Sequence, residues 1–320
     1  MSTSTSRPEP PPETPPAAVL LMAHGTPDSL DDMPAYLTRV RGGRPPSPEL
    51  VAEMRHNYEA IGGRSPLTDI SRQQAAALQA RLGPAIPVRL GMRTWAPLIA
   101  EAVRDLDPAR IRQVIGIPLA PQFSTLSVQK YVEAALAALP AGIRFDCVHE
   151  YHAHPLLVDA FAERVRQAAP APGEEVVFTA HALPERVIAA GDPYATQVAE
   201  TARLVAARAG VARYGQAFQS AGRTPEPWIG PDLSEFIRAG AAQGMCRLLV
   251  VPIGFVCDHT EILFDIDVQA AATARDCGVA LRRTESLNTL PRFIDTLAAL
   301  VHDALGAPAQ PGPNHGAHSH

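Results

Sequence analysis

Apolar segments with the character of β-strands alternate with amphipathic helical segments along almost the whole chain. The strand-like segments lie at residues 19–22, 88–91, 114–119, 145–148, 176–180, 214–219, 248–255 and 280–283. Helical periodicity marks residues 128–139, 156–168, 195–209 and 293–305. Because strands that alternate with helices build βαβ units, this pattern predicts an α/β fold with parallel sheets. Eight strands divide evenly into two similar, doubly wound, Rossmann-like domains.

The predicted domain boundaries follow from length and composition. A chain of 320 residues with a hydrophobic fraction of 46% fits two packed domains. We assign residues 18–152 to an N-terminal domain and residues 153–306 to a C-terminal domain, whose last helix has room to pack back on the first domain. The Pro-rich residues 1–17 and the His-containing residues 307–320 are predicted to be disordered. A cleft between two such domains is a usual place for a flat ligand.

Composition argues against several classes of protein. The formal net charge is −5 and Lys130 is the only lysine, so no basic surface for nucleic acid is indicated. No apolar run reaches the roughly 20 residues that span a bilayer, and the N-terminus lacks the apolar core of a signal peptide, so we expect a cytoplasmic protein without stable membrane insertion. A GxGxxG loop after the first strand and a GxxxxGKS or GxxxxGKT loop are both missing. Four cysteines without a CxxC pair indicate mostly buried thiols.

Polar side chains follow two of the apolar strands. His181 comes directly after residues 176–180, and four carboxylates, at positions 258, 261, 265 and 267, follow residues 248–255. Ligands of open α/β sheets bind at the carboxyl ends of strands. A helix from Thr260 onward would align Glu261, Asp265 and Gln269 on one face, where like charges need a cation, a proton or solvent. The pattern therefore indicates a site for a metal ion, for protons or for both, against the alternatives of a solvated face and a histidine that only satisfies a loop.

Two further segments carry candidate binding residues. Arg41 and Arg44 flank two glycines after an amphipathic stretch, so they either clamp a ligand's carboxylates or form an ordinary helix C-terminus. Trp228 lies in the Pro- and Gly-rich loop 220–231, where it either stacks on a planar ligand or packs against the protein.

Six motifs in the same chain resemble those of the ferrochelatase family, the enzymes that insert ferrous iron into a porphyrin. The motifs are Met22-Ala-His-Gly-Thr-Pro27, Tyr58-Glu-Ala-Ile-Gly-Gly-Arg-Ser-Pro-Leu67, Leu119-Ala-Pro-Gln-Phe-Ser-Thr-Leu-Ser-Val-Gln129, Thr179-Ala-His-Ala-Leu-Pro184, Phe218-Gln-Ser-Ala-Gly-Arg-Thr-Pro-Glu-Pro-Trp228 and Gly254-Phe-Val-Cys-Asp-His-Thr-Glu261. The resemblance covers nearly everything from residue 19 to residue 305. It implies a chelatase-like fold with the porphyrin cleft between the two domains.

The resemblance also implies roles for individual residues. His181 and Glu261 would be the catalytic pair for metal insertion and proton transfer and would contact the metal, with Asp265 as a weaker, outer metal ligand. The implied porphyrin-binding residues are His24, Arg41, Arg44, Ser65, Arg93, Ser124, Tyr131 and Trp228. Three positions depart from the family pattern: His24 stands where short Gram-positive-type members tend to have tyrosine, Gln269 replaces a frequent glutamate, and glycine follows Arg41.

Cofactor, substrate and partners follow from the same resemblance. The tail has no cysteine, and Ser124-Thr125 occupy the place of an internal cluster ligand, so no iron–sulfur cluster and no tightly bound cofactor is expected; Fe²⁺ is a substrate. The chain resembles the short, soluble, monomeric type, which commonly uses coproporphyrin III. Protoporphyrin IX as substrate, a sirohydrochlorin-type chelatase and a non-catalytic porphyrin or haem carrier remain alternatives. Neighbouring haem-pathway enzymes are conceivable partners, and nucleic acid is not.

Overall fold

A computed structural model describes residues 16–222 and 225–306, in which eight strands form two four-stranded parallel sheets. Each observed strand begins within two residues of the start of a predicted strand segment, so the α/β fold class is confirmed. The strand β1 begins at Ala17, a buried residue that the sequence prediction assigned to the disordered N-terminus. The remaining predictions for the two termini concern residues 1–15 and 307–320, outside the described residues.

Both sheets have the same strand order. The first sheet contains β1 (Ala17–Ala23), β2 (Val88–Met92), β3 (Gln113–Pro118) and β4 (Arg144–Cys147) in the order β2-β1-β3-β4. The second contains β5 (Glu175–His181), β6 (Gly215–Gln219), β7 (Arg247–Pro252) and β8 (Ala280–Arg283) in the order β6-β5-β7-β8. The central strands β1 and β7 are nearly continuous apolar runs because both faces of a parallel sheet are covered by helices.

Helices connect the strands and flank both sheets. They are α1 (Met33–Val40), α2 (Pro48–Ala60), α3 (Leu67–Leu82), α4 (Ile99–Arg104), α5 (Val128–Ala138), α6 (Pro155–Ala168), α7 (Glu185–Ala189), α8 (Tyr194–Ala209), α9 (Leu233–Ala242), α10 (Thr260–Leu263), α11 (Ala271–Asp276) and α12 (Pro291–Gly306). The four segments with predicted helical periodicity correspond to α5, α6, α8 and α12. No helix of residues 16–222 and 225–306 is both long enough and apolar enough to cross a bilayer.

Buried amides tie the two halves of the chain together. Gln74 Nε2 of α3 donates to the Asn288 carbonyl at 2.9 Å. Gln122 Nε2 donates to Thr201 Oγ1 at 3.1 Å and to the Ile253 carbonyl at 3.2 Å. Both glutamine side chains are buried, where an unmade hydrogen bond is costly. The relative position of the two sheets is therefore fixed by polar contacts as well as by apolar packing.

The last helix belongs to both halves. α12 packs against α3 of the first half and α6 of the second. Its apolar face, which includes the fully buried Phe293, Leu297 and Val301, lies in the core cluster that also contains residues of both sheets. An ion pair between Arg81 and Asp295 joins α3 to α12 at the surface.

The acidic segment after β7 is a helix with an irregular centre. α10 leads into a π-helical segment, Asp265–Ala270, in which the Gln269 amide donates to the Phe264 carbonyl at 2.8 Å, before α11 begins. The prediction of one regular helix from Thr260 onward is therefore wrong in its middle turn. Ile262 and Ile266 anchor the segment in the core of the second half, so tertiary packing outweighs regular α-helical spacing. Such π segments occur frequently at functional sites.

Candidate active site

The carboxyl ends of β5 and β7 bring the two predicted catalytic residues together. His181 is the last residue of β5, and the chain after β7 turns back across this end. The amides of Ile253 and Gly254 both donate to the Thr179 carbonyl, at 2.9 and 3.2 Å. A Cβ atom on Gly254 would lie 2.6 Å from the Ala180 Cβ, so only glycine permits this approach. The turn leads directly to α10, which carries Glu261.

Glu261 lies between two histidines. Its Oε1 is 3.6 Å from His181 Nε2, and its Oε2 is 3.6 Å from His259 Nε2. His181 Nδ1 contacts the Ala182 carbonyl, which orients the ring and leaves Nε2 toward the carboxylate. The His259 ring packs against Phe255 with 4.5 Å between the ring centroids. The predicted pair is thus a group of three, with His259 as a member that the sequence analysis did not name as a candidate.

His181 and Glu261 form an ion pair. Burial by itself lowers the pKa of His181, but the Glu261 carboxylate, the Ala182 carbonyl and the Asp265 charge together raise it to about 9. Burial by itself raises the pKa of Glu261, and the two histidines outweigh it and hold that pKa well below its usual range. At neutral pH the proton therefore resides on the imidazole.

Asp265 has a different environment from Glu261. Burial raises its pKa to about 6 and the charge of Glu261 adds to this rise, while the contact from the Ser220 hydroxyl opposes it. A carboxyl group with such a pKa exchanges protons readily near neutral pH. Gln269, the third member of the predicted row, is exposed on the π-helical segment.

The other two carboxylates of the acidic segment are paired elsewhere. Arg283, at the end of β8, lies 3.1 Å from Asp258 and donates to Asp267 at 2.7 and 2.9 Å. Asp258 also accepts hydrogen bonds from Ser286 at 2.7 Å and Asn288 at 2.9 Å. Asp258 is therefore a structural anchor for the turn before α10, and the acidic group of the site consists of Glu261 and Asp265.

His24 lies close enough to the pair for their charges to influence its pKa. Burial lowers the pKa of His24 to about 4; the charge of Glu261 opposes this shift, and the charges of Arg93, His259 and His181 add to it. The imidazole is therefore neutral at neutral pH and offers a lone pair to a proton or a metal ion. Its ring meets the edge of Tyr36 at a centroid distance of 6.4 Å.

The charge of Glu261 acts on buried tyrosines from both halves. Burial raises the pKa of each, and the charge of Glu261 contributes to the rise in every case: Tyr36, Tyr58, Tyr131 and Tyr194. The pKa of Tyr58 rises to about 12. The predicted porphyrin-binding residue Tyr131 thus lies near the site, and so does Arg93, whose charge acts on both His24 and Tyr131. Arg93 Nη1 donates to the Leu126 carbonyl at 3.1 Å.

The remaining predicted binding residues make structural contacts of their own. The Ser65 hydroxyl is buried and accepts from the Leu67 amide, and the Ser124 hydroxyl is buried and donates to Asp192 at 3.1 Å. Trp228 is half-buried and forms a β-bridge with Pro184, on the loop that follows His181. Their predicted roles toward a porphyrin stay predictions.

The segment of Arg41 and Arg44 has the geometry of a helix C-terminus. The Gly43 amide donates to the Thr38 carbonyl at 2.8 Å with φ of +90°, a conformation that favours glycine. Both arginines are exposed, and Arg44 Nε donates to the Arg41 carbonyl at 3.2 Å. The capping interpretation is confirmed, and the proposed carboxylate clamp stays a prediction.

The cysteines differ from the prediction that they are mostly buried. Cys257 is buried, Cys147 and Cys277 are half-buried, and Cys246 is exposed; all four are free thiols. Among the residues that the structure describes, no three His, Cys, Asp or Glu side chains converge closely enough to hold a metal ion. The His181–Glu261 pair supplies one nitrogen and one carboxylate group, both of which bind divalent iron.

Comparison with known proteins decides the family. A model of the ferrochelatase family matches residues 16–305. The chain belongs to the ferrochelatase family. Ferrochelatase from Deinococcus radiodurans is 45% identical over 300 residues, covering 89% of this chain and 95% of the relative. The coproporphyrin III ferrochelatase of Geobacillus sp. WCH70 is 39% identical over 297 residues, covering 88% and 96%. That of Bacillus subtilis is 38% identical over 302 residues, covering 90% and 97%.

Solved structures agree on the fold of this ferrochelatase-family chain. SirB from Bacillus subtilis with Fe³⁺ has a TM-score of 0.56 at 13% identity, covering 91% of this chain and 96% of that one. CbiX, the terminal enzyme of sirohaem biosynthesis in denitrifying bacteria, has a TM-score of 0.52 at 16% identity, covering 90% and 99%. At such low identities the similarity concerns the fold alone. The predictions of a chelatase-like fold and of a lyase of the ferrochelatase family are confirmed.

Proposed function

We propose that this ferrochelatase-family enzyme inserts ferrous iron into coproporphyrin III, with His181 and Glu261 as the reacting pair. The observation that carries the proposal is the half-buried His181–Glu261 ion pair at the carboxyl end of β5, with a separation of 3.6 Å. A partly desolvated imidazolium and a carboxylate of low pKa at such a strand end are typical of a catalytic site.

The reaction requires the porphyrin to lose two pyrrole protons while Fe²⁺ loses its water ligands. Because the pair starts with its proton on His181, that proton must leave before Nε2 can ligate iron or accept a pyrrole proton. The approach of a dication favours this loss through charge repulsion. Glu261 remains ionised and attracts the hydrated cation, and Asp265, whose pKa is about 6, passes protons outward. Asp265 also serves as a weaker, outer metal ligand.

His24 takes the opposite role to His181 in this proposal. Its low pKa keeps the imidazole neutral, so it accepts a pyrrole proton or coordinates the metal without prior deprotonation. Tyr131 and Arg93 lie in the same electrostatic environment and are proposed to contact the porphyrin. Ser65, Ser124 and Trp228 would act mainly by holding the loops that line the cleft.

The choice of coproporphyrin III is supported by relatives named for that substrate, which are 37–39% identical to this chain. Its four propionates offer carboxylates to the exposed Arg41 and Arg44, because a guanidinium group binds a carboxylate with two parallel hydrogen bonds. Protoporphyrin IX, with two propionates, is the second candidate.

We further propose that the protein is a cytoplasmic monomer, that it holds no resident cofactor or iron–sulfur cluster, and that neighbouring haem-pathway enzymes are its partners.

The test is anaerobic Fe²⁺ insertion into coproporphyrin III and protoporphyrin IX, followed by the loss of free-porphyrin absorbance. We expect faster turnover of coproporphyrin III and loss of turnover in His181→Ala. Arg44→Ala should raise the KM for coproporphyrin III more than that for protoporphyrin IX. Equal rates for both porphyrins would contradict the substrate assignment. Tight porphyrin binding without metallation would favour the carrier, and turnover of sirohydrochlorin alone would favour the other chelatase class.

A further inference from the structure

Two consecutive residues at the end of β6 reach the acidic segment that carries Glu261 and Asp265. β6 pairs with β5, and Gln219 lies opposite His181 in the register. The Gln219 side chain is buried, and its Nε2 donates to the Glu261 carbonyl at 2.6 Å. A carbonyl oxygen only accepts hydrogen bonds, so this contact also settles which end of the amide faces α10.

The next residue makes the second contact. The Ser220 hydroxyl bonds Asp265 Oδ2 on the π-helical segment. Ser220 has φ of +62°, in the left-handed region that residues with a Cβ atom adopt rarely. Such conformations persist where the surrounding structure imposes them, and they are concentrated at functional sites. A turn that needed only this backbone geometry would be satisfied by glycine.

The acidic segment has few internal means of fixing its position. α10 has only four residues, and His259, which precedes it, forms no side-chain capping bond with the described residues. The following π-helical segment is six residues long. Apolar anchors, Ile262 and Ile266, hold one face in the core and leave the polar face to be positioned from outside. Arg283 holds Asp267 on that face, whereas the contacts from β6 hold the Glu261 carbonyl and the Asp265 carboxylate.

We propose that Gln219 and Ser220 are positioning residues for iron insertion, which hold Glu261 and Asp265 toward His181 from the end of β6. This inference rests on the proposed function for its kinetic consequence, but not for its structural one. Gln219 acts through the backbone of Glu261, and Ser220 acts through the carboxylate of Asp265. Neither residue needs to touch the porphyrin or the iron.

Two substitutions separate the polar contacts from the backbone geometry. Ser220→Gly keeps the left-handed conformation and removes only the hydroxyl, and Gln219→Met keeps the length of the side chain and removes the donor. We expect each to lower kcat by about 10- to 100-fold, the range found when a residue that orients a metal ligand is lost. The Kd for coproporphyrin III, measured by quenching of its fluorescence, should change less than about twofold.

The matched control is Ala169→Gly, because Ala169 has φ of +47° and lies at the end of α6, away from the site. It relieves the same backbone conformation without removing a hydroxyl, and kcat should not change.

A double-mutant cycle then tests whether Ser220 acts through Asp265. In an Asp265→Ala background, Ser220→Gly should lower kcat less than about twofold further, since the group that it positions is already gone. A full, additive loss there would overturn the role given to Ser220, and so would a wild-type kcat in Ser220→Gly itself.

Hydrogen exchange tests the contacts independently of activity. Mass spectrometry should show faster amide exchange in residues 260–270 for both variants and unchanged exchange in this segment for Ala169→Gly. Unchanged exchange in Gln219→Met and Ser220→Gly would refute the positioning role whatever the kinetics. If the two variants exchange faster but the wild-type protein inserts no iron, the contacts are supported and the proposed function is refuted instead.

Discussion

Replacing Glu261 with glutamine should remove most of the attraction that keeps His181 protonated. The pKa of His181 is about 9 against an ordinary value of 6.5, even though burial of the ring acts in the opposite direction. This rise corresponds to roughly 3 kcal/mol of preferential interaction with the protonated ring. Because the His181 side chain retains 30% exposure, solvent screening makes that value an upper limit. Without the charge, we expect the pKa to fall to about 6.5 or lower.

The assay is NMR titration of the imidazole carbon-bound protons, with the His181 signal assigned by its absence in His181→Ala. At pH 7.5 the protonated fraction should drop from about 97% in the wild type to about 10% or less in Glu261→Gln. Asp265→Asn is the graded control, because Asp265 is a smaller contributor to the same shift. A pKa near 9 in Glu261→Gln would refute the ion-pair account of this site.

The same substitution changes how stability depends on pH. The folded-state pKa of His181 lies above the unfolded value, so the protonated ring stabilises the fold fully below pH 6.5, and this contribution is lost as pH rises toward 9. In urea unfolding, the wild type should therefore lose stability relative to Glu261→Gln between pH 6.5 and 9. A constant difference across that interval would contradict the assignment.

Three further changes have defined outcomes. Asp192→Ala should lower the free energy of unfolding by about 3 kcal/mol, because the Thr125 amide and hydroxyl lose an acceptor at 2.7 and 2.8 Å. Denaturant melts measure this loss, and a value under about 1 kcal/mol would contradict the buried network. Gly254→Ala should cost about 1–3 kcal/mol by overpacking against Ala180, whereas Gly306→Ala, with open space around it, should change little in the same melts. In the pH profile of iron insertion, the rate should rise through about pH 6 as Asp265 ionises. This rise should be absent in Asp265→Asn. A rise that persists in the variant would assign the titration to another group.

The fold was largely predictable because its strongest signals are local. Parallel strands covered on both faces are continuous apolar runs, and the eight runs seen in the sequence are the eight strands of the two sheets. His181 and Glu261 could also be identified as candidate site residues, because both follow such runs at the edge of the sheet where ligands bind. The motifs that carry the family resemblance then specified the chemistry.

What the sequence could not show depends on contacts between distant residues. Arg283 pairs with Asp258 and Asp267 from the end of another strand, so the row of four carboxylates separates into two groups only in three dimensions. The π-helical segment arises from packing that local spacing does not encode. His259 lies two positions before Glu261 in the sequence. That short spacing could have identified His259 as the third member of the site.

The shared strand order makes positions in the two halves correspond to one another. β1 and β5 hold the same place in their sheets, and each delivers an alanine followed by a histidine at its carboxyl end: His24 in the first half and His181 in the second. Their surroundings give His24 a pKa of about 4 and His181 a pKa of about 9. Two corresponding positions therefore carry the same side chain with different charge at neutral pH: one histidine is a neutral base and its counterpart a cationic acid.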